Sequence, residues 1–127
     1  MWFERTKKRL ANGKRKAASK ALGYLAHIVG DVANPTHTDF SKKEESMHSA
    51  HESAVDHRIA EYGFAYDGQD AAKPGAMARR LARQAHRKYW RLGNAYRPHG
   101  YNTKVHRKTK RQLNRAANAM ADLLTSL

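Results

Sequence analysis

The sequence predicts an all-α fold, one helical domain of four to five helices over residues 1–127, and three observations carry that prediction. Apolar residues recur at helical spacing in several segments, and no alternating strand pattern is present. Gly and Pro punctuate the chain into four or five such segments. At 127 residues the chain has the length of one domain and can bury roughly two-thirds of its unfolded surface.

A short basic helix is expected over about Glu4–Leu10, ended by the Asn12-Gly13 turn signal. A long helix should run from about Arg15 to Asp31, with Ala21, Leu25, Ile28 and Val32 as its apolar stripe and His27 and Asp31 beside it. Pro35 closes that segment and forces Asn34 extended, which sets His37 in a loop. The run Ser41-Lys42-Lys43-Glu44 has the capping-box pattern, so the next helix should start there and reach about Tyr62, stopped by Gly63. Its expected inner face carries His48, Glu52, Val55, Ile59 and Tyr62. His51 lies one step around, and His57 points to solvent. Residues 63–73 read as a loop, and Pro74 suits the first turn of a helix over about Gly75–Leu92 with Met77, Leu81, Ala85 and Leu92 inward. After a second loop containing Pro98 and Gly100, a last helix is expected over about Lys104–Ser126, burying Leu113, Ala117, Met120, Leu124 and Leu127.

Composition removes several classes of function. There is no Cys, so there is no disulfide framework, no thiolate metal site and no cysteine nucleophile. No apolar run approaches the length of a transmembrane helix, and Met1-Trp2-Phe3-Glu4-Arg5 does not begin a signal peptide. The formal charge is +14, unevenly spread. Residues 31–70 hold nine acidic residues against three basic, whereas residues 71–127 hold fourteen basic against one acidic. The acidic middle suits a cation. The basic flanks suit a polyanion: phosphate groups, an anionic membrane surface or nucleic acid.

The chemistry concentrates in the middle. His27 and Asp31 form one His/carboxylate pair at i, i+4, His48 and Glu52 form another, and His37 lies between them. Residues four apart share a helix face, so each pair can close on one cation. Zinc accepts imidazole and carboxylate ligands, and a catalytic zinc keeps one position open for water. The competing reading of each pair is a surface ion pair of little energetic weight. Downstream, His86, His99 and His106 lie on basic stretches and read as solvated side chains. Tyr89, Trp90, Tyr96 and Tyr101 lie among basic residues, where packing is the usual role of an aromatic and base stacking the alternative.

The run His27-x-x-Gly30-Asp31-x-x-x-Pro35-x-His37, followed by His48-x-x-x-Glu52, resembles the signature of the zinc-dependent phospholipase C family, whose relatives include the S1/P1 nucleases. The resemblance covers most of this chain and the C-terminal part of a typical member. It implies a phospholipase C/P1 nuclease-like all-α domain, truncated at its N-terminus. By this likeness His27 and Asp31 would serve one zinc, with Asp31 bridging toward a neighbour, and His37, His48 and Glu52 would serve another. Asp31 and Glu52 would be the catalytic carboxylates. Glu52 favours the phospholipase branch, and Ile28 stands where the family usually has Tyr. Members gather up to three zinc ions and take further ligands from Trp, His and Asp residues upstream. Here no His or Asp precedes His27, so one zinc is expected. The implied activity is zinc-dependent hydrolysis of a phosphodiester in phospholipid head groups, weak or absent in this short form. The alternatives are a non-catalytic metal-binding remnant or fragment, and an S1/P1-like nuclease or basic nucleic-acid-binding protein. The family is usually exported.

Overall fold

The computed structural model describes residues 1–38, 45–70, 73–97 and 100–127, and its elements among them are helical. Helix α1 spans Trp2–Ala11 and α2 spans Arg15–Ala33. A single 3-10 turn follows at Pro35–His37. Helix α3 covers Glu45–His57, trailed by a 3-10 turn at Ile59–Glu61. Two long helices complete the chain, α4 over Pro74–Tyr96 and α5 over Thr103–Thr125. The expected helices are therefore present: α1 and α4 run a few residues further, α2 ends two residues later, α5 is shifted by one residue, and α3 stops earlier than Tyr62. The capping-box residues 41–44, together with Pro98 and His99, lie outside the described residues.

Four helices share the core. Phe3 of α1, Leu25, Val29 and Ala33 of α2, Met77 and Leu81 of α4, and Ala119 and Leu123 of α5 bury one another. Turn chemistry sets the connections. Gly13 takes a left-handed φ of 68° between α1 and α2, a conformation that costs a residue with Cβ more. Trp2 then stacks on Tyr24 with ring centroids 4.6 Å apart, pinning α1 to α2. Asn102 caps α5 by accepting from the amides of Lys104 and Val105, and its own amide donates to the Ala95 carbonyl at the end of α4. Lys88 of α4 lies within electrostatic range of Lys108, Arg111 and Arg115 of α5. With Ala95 joined to Asn102, the two helices run antiparallel.

Two buried stripes differ from those expected. On α2 the inward residues are Ala18, Ala21, Leu25, Val29 and Ala33, and Ile28 is 40% exposed. On α5 they are Val105, Thr109, Gln112, Ala119 and Leu123, while Leu124 is exposed. In both helices several apolar residues occupy adjacent positions, so the packing partner chooses between two faces. Ile59 is likewise exposed, because α3 has ended by then and the 3-10 turn reorients the chain.

The segment after α3 is held by an unforeseen ladder. Asn114, Asn118 and Asp122 stand at i, i+4 and i+8 on α5. Their side-chain oxygens accept from the backbone amides of Ala65, Asp67 and Asp70 at 2.8, 3.0 and 2.9 Å. The segment Ala65–Asp70, which has no regular secondary structure, is thereby tied along α5, and Asn118 and Asp122 are buried. Each backbone donor gets a partner without a sheet.

Candidate metal centre

The site is built where α2 ends. Asn34 is extended, with ψ of 118°, because Pro35 excludes the helical conformation from the residue before it. The Asn34 carboxamide accepts from the amide and hydroxyl of Thr36 at 3.1 and 2.9 Å and fixes the following turn. Pro35 and Thr36 are buried. This short, pinned turn carries His37 out toward α3, where His48 and Glu52 are one helical turn apart.

His37, His48 and Glu52 converge on a single point. His37 Nε2 lies 2.9 Å from His48 Nε2 and 2.9 Å from Glu52 Oε1, and His48 Nε2 lies 2.8 Å from the same oxygen. The three atoms form a nearly equilateral triangle. Among the described residues this is the one group of three His or carboxylate side chains so close that it could hold a metal ion. Asp31 approaches from behind. Its Oδ1 is 3.4 Å from His37 Nδ1, and its Oδ2 is 3.2 Å from His27 Nε2. A carboxylate beside Nδ1 favours the proton there and leaves Nε2 with its lone pair exposed toward the other two donors.

A proton can bridge two of three such atoms but cannot satisfy all three. A cation can. A tetrahedral ion with ligands at about 2.0–2.1 Å sets its donors about 3.3–3.4 Å apart, so the triangle has to open by about half an ångström per edge. Glu52 is half exposed and His48 about one-third exposed, which leaves the side chains room to do so. Burial pushes the Glu52 carboxyl up, but the adjoining His37 and His48 rings overcome that and hold it below the usual carboxylate range. Glu52 is therefore an anion at neutral pH, which suits a ligand.

Of the five residues singled out in the sequence, three form the triangle and two stand behind it. Asp31 contacts the far nitrogen of His37. His27, with a side chain 73% exposed, contacts Asp31. The helices carrying the two His/carboxylate pairs both pack against the Pro35–His37 turn.

Three further residues belong to the surroundings. The Asn34 amide reaches Glu52 Oε1 at 3.4 Å, so the residue that shapes the turn also touches a donor. His51 is buried, with Nδ1 2.7 Å from Tyr96 Oη, and its ring meets Tyr96 edge-on. Burial lowers its pKa to about 4, against an upward pull from Glu52 and a smaller downward push from His48. It is neutral at pH 7 and ties α3 to α4. His86 of α4 shares the lining of a 630 Å³ cleft with Asp31, His37 and His48. Its position in the sequence carries no sign of this, because α4 reaches the site only through tertiary packing. His106 is not solvated as expected: it stacks on Tyr62 at 4.7 Å and accepts or donates at 2.8 Å with Tyr101 Oη. Tyr89 is buried, as expected of a packing residue, whereas Trp90 is 59% exposed.

A second cleft, of 380 Å³, opens on the other side of Glu52. Its floor is apolar, formed by Ala33, Pro35, Leu92 and Leu113, and Lys88 and Lys108 stand on it. The triangle thus separates two clefts, one rich in imidazole and one apolar with lysines. No helix among the described residues is long and apolar enough to cross a membrane. Comparison with protein-family models, curated proteins and solved structures finds no match for the chain.

Proposed function

We propose that the chain is a zinc-dependent phosphodiester hydrolase whose ion is held by His37, His48 and Glu52. The observation that carries this reading is the meeting of two Nε2 atoms and one carboxylate oxygen at 2.8–2.9 Å, with Asp31 on the remaining nitrogen of His37. Two imidazoles and a carboxylate are a donor set of catalytic zinc, which keeps a fourth position for water. Bound zinc supplies a Lewis acid that lowers the pKa of water and offsets charge gathering on phosphorus. The chain's own groups do the positioning. His37 and His48 bind through Nε2, Asp31 keeps the proton on His37 Nδ1, and Asn34 donates to Glu52 Oε1 and restrains its rotation. The resemblance of the His27–His37 run to the zinc-dependent phospholipase C signature supports the reaction class. The phospholipid head group is the finer part of the proposal.

A metal centre without turnover is the second reading, and one observation favours it. Asp31 turns both oxygens to histidines, so it is committed behind His37 and does not bridge two ions in this arrangement. A lone ion has no partner to stabilise the leaving oxygen. Elemental analysis of the purified chain, beside a His48→Ala/Glu52→Ala variant, tests the ion: about one zinc per chain, lost in the variant, is expected. Zinc content unchanged by the variant overturns the site. Hydrolysis of a chromogenic phosphocholine ester by the same two samples then decides between the readings. Turnover that the variant abolishes supports the hydrolase, and zinc without turnover supports the second reading.

A further inference from the structure

The most uneven feature of the surface lies away from the triangle. Helices α4 and α5 bring Lys88, Arg91, Lys104, Arg107, Lys108 and Arg111 into one ridge along their antiparallel contact. Arg91, Lys104, Arg107 and Arg111 are exposed. None of the six pairs with a described carboxylate, since the ion pairs among the described residues are all made by histidines. The crowding is felt by the ridge itself. The charge of Arg91 lowers the Lys88 ammonium below the ordinary lysine range, with some burial and the other cations adding to it. Burial and then Arg91 do the same to Lys108. Like charges gathered without partners destabilise the free protein, and an anionic surface relieves them.

Apolar side chains stand out beside this ridge. Ile59, on the cleft that also holds Lys88 and Lys108, is 61% exposed. Phe64 and Tyr66 are 56% and 58% exposed, and they flank Ala65, whose amide is held by Asn114, three residues from Arg111 on α5. The Asn114–Asn118–Asp122 ladder fixes the segment that carries them, so these rings are displayed on pinned backbone. The apolar faces of α4 and α5 are already spent on the core, so neither helix can lie down into a bilayer. What is left is a basic ridge with a few projecting apolar groups. A nucleic-acid backbone would use the cations and leave Ile59 in water. A bilayer surface uses both kinds of group.

We propose that the α4–α5 ridge, with Ile59 and Phe64 beside it, is a docking surface for an anionic phospholipid bilayer. The cations hold the head-group layer, and the two apolar side chains enter the interface. This inference does not depend on a bound metal.

The test is co-sedimentation of the full chain, in chelator, with vesicles of two parts phosphatidylcholine to one part phosphatidylserine. Binding is expected, with little to vesicles of phosphatidylcholine alone. Each cation removed from such a surface weakens partitioning about fivefold, so Arg91→Gln/Arg107→Gln/Arg111→Gln should weaken it about a hundredfold. Raising salt should do likewise, because the Debye length falls from about 10 Å at 0.1 M to about 3 Å at 1 M. Ile59→Ser/Phe64→Ser should weaken binding while leaving its salt dependence in place. Circular dichroism of both variants keeps misfolding from passing as lost binding. Equal binding to both vesicle types, or a triple variant that folds and binds as the parent does, overturns the proposal. So does tight, salt-dependent binding to a duplex oligonucleotide with none to vesicles, which would make the ridge a nucleic-acid surface.

Discussion

Replacing Asp31 by Asn separates a carboxylate that ligates from one that stands behind a ligand. Asp31 Oδ1 is 3.4 Å from His37 Nδ1, on the opposite side of the ring from the triangle. Asn keeps the size and can still present an oxygen to Nδ1, but it loses the charge that makes Nε2 the better donor. Partners of this kind are worth 10–100-fold in metal affinity, or about 1.4–2.7 kcal/mol. His27→Gln, one step further out and exposed, should change affinity by less than about threefold, because exposed pairs contribute little. His48→Ala removes a donor itself and should cost more than either. The assay is competition for zinc against a chromogenic chelator at constant pH and salt. The order expected is His48→Ala first, Asp31→Asn second by at least a factor of ten, and His27→Gln close to the parent. If Asp31→Asn removes zinc as completely as His48→Ala, Asp31 is a direct ligand and the placement argued from the distances is wrong. If it changes nothing, the carboxylate does not tune His37 at all.

Two other outcomes follow from the same surroundings. His51 has its pKa lowered from 6.5 to about 4 by burial, so as pH falls the unfolded chain takes up this proton first. The stability that a neutral His51 contributes is complete above pH 6.5 and lost between 6.5 and about 4, a change of about 3 kcal/mol. Urea unfolding in chelator should show the loss in the parent and a flatter profile in His51→Gln; parallel profiles would count against it. Zinc at a hundred times its dissociation constant should add about 2.7 kcal/mol, or about a hundredfold in hydrogen-exchange protection. That gain should concentrate in α3 and the Pro35–His37 turn, and a gain spread evenly over all five helices would contradict a site joining just these two elements.

The parts of the fold that were legible in the sequence are those set by local chemistry. Gly13, Pro35 and Pro74 lie at element boundaries because backbone sterics act there whatever surrounds them. The i, i+4 pairs were legible for the same reason: a helix places Glu52 over His48 without help. What was hidden depends on partners distant in sequence. Ile28 and Val29 are equally apolar, and only the approach of α4 and α5 decides that Val29 is buried. The Asn114–Asn118–Asp122 ladder looks like a solvated face until the Ala65–Asp70 segment is laid on it. His86 falls in the same class, since nothing near it in sequence points to a cleft shared with His37 and His48. Spacing proposes which residues can share a face, and tertiary packing decides what that face meets. For that reason Asp31 could be read as a ligand from the motif and yet stand one ring away in space.

The two sides of the triangle are held with different firmness, and this bears on what an ion would do there. His37 rides on a turn locked by a buried proline and by Asn34, and α2 behind it packs into the core through Val29 and Ala33. Helix α3 contributes no residue to that core cluster. Among its described residues the buried side chain is His51, joined to Tyr96, and Met47 reaches the Cβ position of Gly93 at 3.9 Å. Among the described residues, α3 is further linked to the Pro35–His37 turn through the donor atoms, and Asn34 also reaches Glu52. An ion binding there therefore joins a fixed histidine to a lightly anchored helix, and part of its binding free energy goes into holding α3 in place. The apparent affinity expected of the proposed site is the intrinsic affinity of the three donors reduced by the cost of ordering α3. On the proposed metal reading, Tyr96 and Asn34 would act by the same route, since both hold α3 without being donors: Tyr96→Phe and Asn34→Ala should each weaken zinc binding in the chelator competition.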